Sequence, residues 1–219
     1  MKIIVVQKDI KDLDITGHLE RAKGDNPDLV CFSELAATGC LYHRRPVTPL
    51  EKICETLSPF NFGVMLGLPV QEPGGFFNSY LFYERGKYRL YHKINLFPPF
   101  GEPQIYESGH RIGLFETATD RLGTAICYDL RFEDIFTRLA EAGARKIFVP
   151  AAFPIERIDD YRDLLIKRAV DFNVHIIGIN AVGSDDKYQF GGNSMVVAPD
   201  GSILAEAGRG RPETLTVEI

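Results

Sequence analysis

The stretch Gly123-Thr-Ala-Ile-Cys-Tyr-Asp-Leu-Arg-Phe-Glu133 decides how the rest of the chain is read. The residues before Cys127 form an apolar run that predicts a buried strand, and those after it lead into a helix. A thiol at such a junction is held out of the sheet and faces the positive end of the helix. That environment is expected to lower its pKa and favour the thiolate. Free cysteines also serve commonly as small buried hydrophobes, and this segment alone leaves both readings open.

Outward from Cys127, strands and helices alternate. Residues 120–126 form the strand that leads to the thiol. From Glu133 a helix carries Ile135, Phe136, Leu139 and Ala140 on one face and ends at Gly143. A strand over 146–149 precedes a helix over 159–172 with Leu164, Leu165, Ala169 and Phe172 inward. Strands over 175–180 and 194–198 follow, and Asp200-Gly201 turns into a last pair of strands. On the other side, residues 3–6 and 28–33 read as buried strands separated by a helix with Ile15, Leu19 and Ala22 at helical spacing. Thr48, Pro49 and Glu51 have the spacing of N-cap, N1 and N3 in a capping box. Residues 62–70 suit a strand in a crowded core, and Arg85-Gly86 is a hairpin turn between strands over 78–84 and 87–93. No repeat or linker interrupts this order. The reading is one α/β domain over 1–219, with mixed sheets and helices packed outside them.

The 219 residues carry a net charge of −5, with 45% hydrophobic and 25% charged residues. These totals suit a soluble globular chain and give no electrostatic footprint for nucleic acid or an anionic membrane. No apolar run approaches the ~20 residues that span a bilayer. The N-terminus lacks the features of a signal peptide, so a cytoplasmic location is expected. Cys31, Cys40, Cys54 and Cys127 show neither a disulfide framework nor zinc spacing. No metal is therefore expected, and the thiols stay reduced.

A cysteine nucleophile needs a base for its proton or a cation beside its thiolate. None of the five histidines stands in a setting that marks it as that base. His92 and Lys93 are neighbours on a strand and point to opposite faces, so only one of them can face a site. Glu34 closes one strand and Lys93 another, and ligand groups gather at strand ends in α/β sheets. Taken singly, each reads more readily as a solvated strand end than as a site residue.

Together, Phe32-Ser-Glu34-Leu with Thr38-Gly39, then His92-Lys93-Ile-Asn-Leu-Phe-Pro-Pro-Phe-Gly-Glu102, then Ile126-Cys127-Tyr-Asp-Leu-Arg-Phe-Glu133, resemble the nitrilase, or carbon–nitrogen hydrolase, superfamily. Pro150-Ala-Ala-Phe-Pro154, Asn180-Ala-Val-Gly183 and Gly192-Asn-Ser194 extend the resemblance in the same order. It implies a four-layer αββα sandwich and a Glu34, Lys93, Cys127 triad that needs no cofactor. Glu34 would be the general base. Lys93 and the backbone N–H of Tyr128 would hold the oxyanion of a tetrahedral intermediate. A second supporting acid is implied as well. Glu102 is preferred to Glu107 because the Pro98-Pro99 bend can return it toward Lys93.

The Cys-Tyr-Asp-Leu-Arg-Phe run resembles the omega-amidase-like branch, whose substrates are small dicarboxylic monoamides. Arg131 would then pair with a substrate carboxylate, or else merely hold Asp129 or Glu133. Tyr42, Phe97, Phe100, Tyr128 and Phe153 are candidate pocket residues by nearness to the triad. The expected partner is a small-molecule amide, and the expected assembly a homodimer or larger homo-oligomer. Two departures weaken any transfer of substrate or assembly: the chain stops soon after Asp200-Gly201, and Arg168-Ala-Val-Asp171-Phe-Asn173 replaces the usual Arg-Ala, Glu-Asn helix motif. Carbamoyl-amide hydrolysis, nitrile hydrolysis, a non-catalytic binding module and a cysteine–histidine enzyme are the competing readings.

Overall fold

Apolar residues in the first strand alternate between two cores, and that alternation sets the architecture. In the computed structural model, which describes residues 1–219, Lys2–Gln7 forms β1. Ile3 and Val5 point into one buried cluster, Ile4 and Val6 into another. A strand with apolar residues on both faces must be covered on both sides, and the chain meets that demand with four layers.

The first sheet contains β1, β2 (Leu29–Phe32), β3 (Gly63–Glu72), β4 (Gly75–Glu84), β5 (Lys87–His92) and β14 (Glu213–Glu218), in the order β14-β1-β2-β3-β4-β5. The second contains β6 (Gly113–Glu116), β7 (Arg121–Thr124), β8 (Lys146–Ala151), β9 (His175–Asn180), β12 (Met195–Val197) and β13 (Ile203–Glu206), in the order β13-β12-β9-β8-β7-β6. A short pair, β10 (Val182–Ser184) and β11 (Gln189–Gly191), lies beside them. Each large sheet has three parallel strands at its centre, β1-β2-β3 and β7-β8-β9, with antiparallel strands at its edges.

The sheets face one another across a core in which Phe82 of β4 stacks on Phe115 of β6 at 5.5 Å. Helix α1 (Ile15–Ala22) and helix α2 (Leu50–Leu57) cover the outer face of the first sheet, burying Ile15, Leu19, Ala22 and Leu57. The one-turn helix α3 (Glu102–Ile105) belongs to the loops. Helices α4 (Glu133–Glu141) and α5 (Ile158–Phe172) cover the second sheet. Gly178 lets α5 settle closely, since a Cβ there would stand 2.5 Å from Leu165 and 2.7 Å from the Tyr161 hydroxyl. The arrangement is the αββα sandwich, with mixed sheets inside and helices outside.

Local expectations fail where a turn outside the helix decides the outcome. The α2 helix begins at Leu50 with Pro49 as its N-cap, and Thr48 caps nothing. Pro49 keeps an extended backbone (ψ 145°), so the helix starts one residue later and the Thr48 hydroxyl is out of register. The last two strands do not pair with each other. β13 joins β12, whereas β14 crosses to the first sheet and lies against β1. Hydrophobic pattern alone does not say which sheet an edge strand joins.

Gly67 of β3 connects the fold to the site. A Cβ at this position would stand 2.3 Å from the carbonyl oxygen of Ser33 and 2.5 Å from the amide of Leu35. Strand β3 therefore passes directly under the backbone that carries Glu34. Gly67→Ala is expected to cost about 1–3 kcal/mol through overpacking, seen as a lower urea midpoint, and to displace Glu34. An unchanged midpoint would show that this close approach is dispensable.

Candidate active site

Two loops from the first sheet, after β2 and β5, and two from the second, after β7 and β8, meet at the strand ends. Glu34 follows β2 by two residues, and Lys93 directly follows β5. Both are buried, at 3% and 1% exposure. The Lys93 ammonium donates to Oε1 of Glu34 and to Oε1 of Glu102, each at 2.8 Å. Asn78 of β4 donates from Nδ2 to the same two oxygens, at 2.7 and 3.2 Å. Oε2 of Glu34 accepts from the Ala152 amide at 3.0 Å, and Oε2 of Glu102 from the Phe97 amide at 2.6 Å. Each carboxylate thus accepts three donors, the pattern that satisfies an ionised group out of water.

The Phe97–Glu102 loop returns as the prolines suggested. Pro98–Phe100 forms a 3-10 turn, Gly101 takes φ +73°, and Glu102 is delivered to Lys93. Glu107 goes elsewhere. Its carboxylate pairs with Arg44 at 2.7 Å, and both side chains are about half exposed.

Cys127 opens a five-residue 3-10 turn, Cys127–Arg131, which precedes α4. Its φ is +47°, an uncommon conformation for a residue with a Cβ and one that costs about 1–3 kcal/mol unless the surroundings impose it. Asp129 imposes it here. One of its oxygens accepts from the Asn95 amide (2.8 Å) and side chain (3.0 Å). The other accepts from the Tyr91 hydroxyl (2.8 Å) and the Ile126 amide (3.0 Å). Arg168 of α5 donates to the carbonyls of Leu130 and Arg131, at 3.1 Å each.

The electrostatics reverse one expectation. Burial and the Glu34 carboxylate push the Cys127 thiol well above its ordinary range; Lys93 and the Ala152 N–H pull the other way and lose. A short 3-10 turn supplies little of the dipole that a full helix would offer, so the thiol rests neutral. Burial alone would lower Lys93, but Glu102 and Glu34 outweigh it and hold the ammonium well above its usual value. Burial raises the Glu102 carboxyl, Lys93 opposes the shift, and Glu34 adds to it.

Glu34, Lys93, Glu102 and Cys127 line one pocket of about 300 Å³. Tyr42, Phe97, Phe100, Tyr128 and Phe153 line it as well. No histidine does. His92 faces away from Lys93, toward Ser79 and Glu72, and stacks on Phe77 at 4.3 Å. Arg131 lines the pocket and pairs with Asp160 at 3.2 Å, not with Asp129 or Glu133. Arg157 also lines the pocket and shares Asp160 at 3.1 Å. The lining includes Cys40 and Tyr106 too, neither of them singled out in the sequence. Asn78 and Asp129 were missed for a common reason. Each reads as an ordinary polar residue near a strand end, and its partners are 24 to 44 residues away for Asn78 and 34 to 38 for its three longest-range bonds in the case of Asp129.

A model of the family described as Carbon-nitrogen hydrolase matches residues 14–219. An (R)-stereoselective amidase from Pseudomonas sp is 30% identical over 230 residues, covering 95% of this chain and 81% of the relative. A 2-oxoglutaramate amidase from Bacillus subtilis (strain 168) is 34% identical over 119 residues, 54% of this chain and 46% of the relative. An omega-amidase from Homo sapiens is 34% identical over 129 residues, 56% of this chain and 46% of the relative. The chain spans about half the length of these last two relatives. The crystal structure of an amidase from Nesterenkonia sp. has the same fold, with a TM-score of 0.90 at 23% identity over 100% of this chain and 90% of that one. In another structure of the Nesterenkonia sp. AN1 amidase, acrylamide has added to the active-site cysteine.

A neutral resting thiol has a direct consequence. Alkylation of Cys127 by N-ethylmaleimide, followed by peptide mass, is expected to accelerate with pH up to at least about pH 9 without levelling off. A plateau near neutral pH would reveal a preformed thiolate.

Proposed function

The chain belongs to the carbon–nitrogen hydrolase family, and we propose that it hydrolyses the C–N bond of a small-molecule amide through a thioester on Cys127. The observation that carries this reading is the convergence of a thiol, a buried ammonium and a hydrogen-bonded carboxylate on one pocket wall. As the Cys127 sulfur bonds to the amide carbon, its proton passes to Glu34. Oε1 of Glu34 already accepts two hydrogen bonds and Oε2 only one, so Oε2 has the free lone pair.

Charge developing on the carbonyl oxygen is met by Lys93, which stays protonated, and by the backbone N–H of Tyr128. The intermediate collapses as the C–N bond breaks and Glu34 returns its proton to the departing nitrogen, releasing ammonia or an amine. Water then attacks the thioester. Glu34 takes its proton, the C–S bond breaks, and the thiol is restored. Glu102 supports Lys93 from the opposite side. This chemistry asks nothing of a histidine, in keeping with a pocket that has none.

Arg131 and Arg157 share the single carboxylate of Asp160, which leaves positive charge at the pocket. That surplus favours an amide carrying a carboxylate, as in the dicarboxylic monoamides.

Ammonia release over a panel of amides, with and without a second carboxylate, alongside carbamoyl compounds and nitriles, tests the reading. Cys127→Ala should show no release above blank, and Glu34→Gln should lose about 10²–10⁴-fold, the usual worth of a general base. Arg131→Ala should raise KM selectively for the carboxylate-bearing amides. An active Glu34→Gln would refute the assignment of the base, and equal release by wild type and Cys127→Ala would point to a non-catalytic module.

A further inference from the structure

We propose that Asn78 is a positioning residue that closes a four-cornered cluster with Lys93, Glu34 and Glu102 and thereby reserves Oε2 of Glu34 for the proton of Cys127. The proposal rests on the amidase reading and assigns a role to a side chain that does not touch the pocket.

The geometry is specific. Asn78 is 1% exposed, and its carbonyl accepts the Lys93 amide at 2.9 Å, so the two residues are fixed to each other through their backbones. Its two amide protons go to the two oxygens that also accept from the Lys93 ammonium. Donors and acceptors therefore alternate around the cluster. The opposite orientation of the amide would aim Oδ1 at two carboxylates, so the carboxylates themselves set which end faces them. Oδ1 is buried without a hydrogen-bond partner. A buried orphan acceptor is unusual, and it marks a residue retained for its donor end.

With both lone pairs of Glu34 Oε1 occupied, protonation there is blocked unless a hydrogen bond breaks. Oε2 faces the Ala152 amide, and the same N–H acts on the Cys127 sulfur. Oε2 and the thiol thus share the neighbourhood of one N–H. Lys93 alone does not enforce this, because an ammonium between two carboxylates leaves a lone pair open on each Oε1. The ionisable groups facing the carboxylate pair are Lys93, Cys127, Cys40 and Tyr106. None of these is a neutral donor bridging both Oε1 atoms. Asn78 is, and it has no proton to lose at working pH.

Two variants test the assignment through the pH dependence of ammonia release. Asn78→Leu removes a donor that favours the ionised carboxylate pair over its protonated form. The acid limb of kcat/KM should then move up by about one pH unit, with kcat about tenfold lower and KM within about threefold. Asn78→Asp keeps the shape. It can donate only while protonated, so its kcat/KM should fall as pH rises, where the wild type holds a plateau. An acid limb left in place, or a loss confined to KM, would overturn the proposal. If Asn78→Leu does not fold, a wild-type profile in Asn78→Asp overturns it equally. Cys127→Ala run in parallel separates the two levels: ammonia release equal to wild type in that variant refutes the amidase reading, whereas an inactive Cys127→Ala beside unshifted Asn78 variants refutes this inference alone.

Discussion

An ammonium with almost no access to water, held between two carboxylates, is the constraint around which the molecule is arranged. Lys93 sits 2.8 Å from both Glu34 and Glu102. Removing one partner of such a buried pair commonly costs about 3–5 kcal/mol, because the charge left behind is neither paired nor solvated. An apolar cluster of similar volume would often be as stable. The charges are thus better explained by chemistry than by stability. Two carboxylates against one cation also bear on the neighbouring thiol: together with burial, they push Cys127 toward its neutral form.

Each sheet supplies half of this site. The first provides Glu34 after β2, Asn78 within β4 and Lys93 after β5. The second provides Cys127 beyond β7 and the Ala152 amide at the end of β8. Glu34 is therefore held from both sides, by Lys93 and Asn78 in its own sheet and by a backbone N–H in the other. Close passage of β3 at Gly67 and the Asp129-centred turn under Cys127 fix the two halves at their strand ends. Such a site is preorganised by rigid elements, the condition under which fixed charges contribute most to catalysis.

Much of the fold was legible because it rests on local period. Ile15, Leu19 and Ala22 predicted α1, and the inward residues of α4 followed the same rule. Alternation could not say that β13 and β14 part company, since either sheet offers an edge of the same chemistry. Nor could the Thr48 capping pattern reveal that Pro49 holds the chain extended. Within the site, strand ends drew attention to Glu34 and Lys93, and the resemblance joined them to Cys127. Asn78 and Asp129 escaped notice because their work is done by contacts between distant segments. The expected low thiol pKa was an inference from a helix dipole. In the folded chain, burial and a carboxylate matter more than the short turn.

The proposed reaction requires that Cys127 become acylated during turnover. Acid quenching while an amide is being hydrolysed, followed by peptide mass analysis, tests it most directly. A mass increase equal to the acyl group is expected on the peptide bearing Cys127, released by hydroxylamine. Turnover with no such adduct, or with the adduct on another residue, would contradict it.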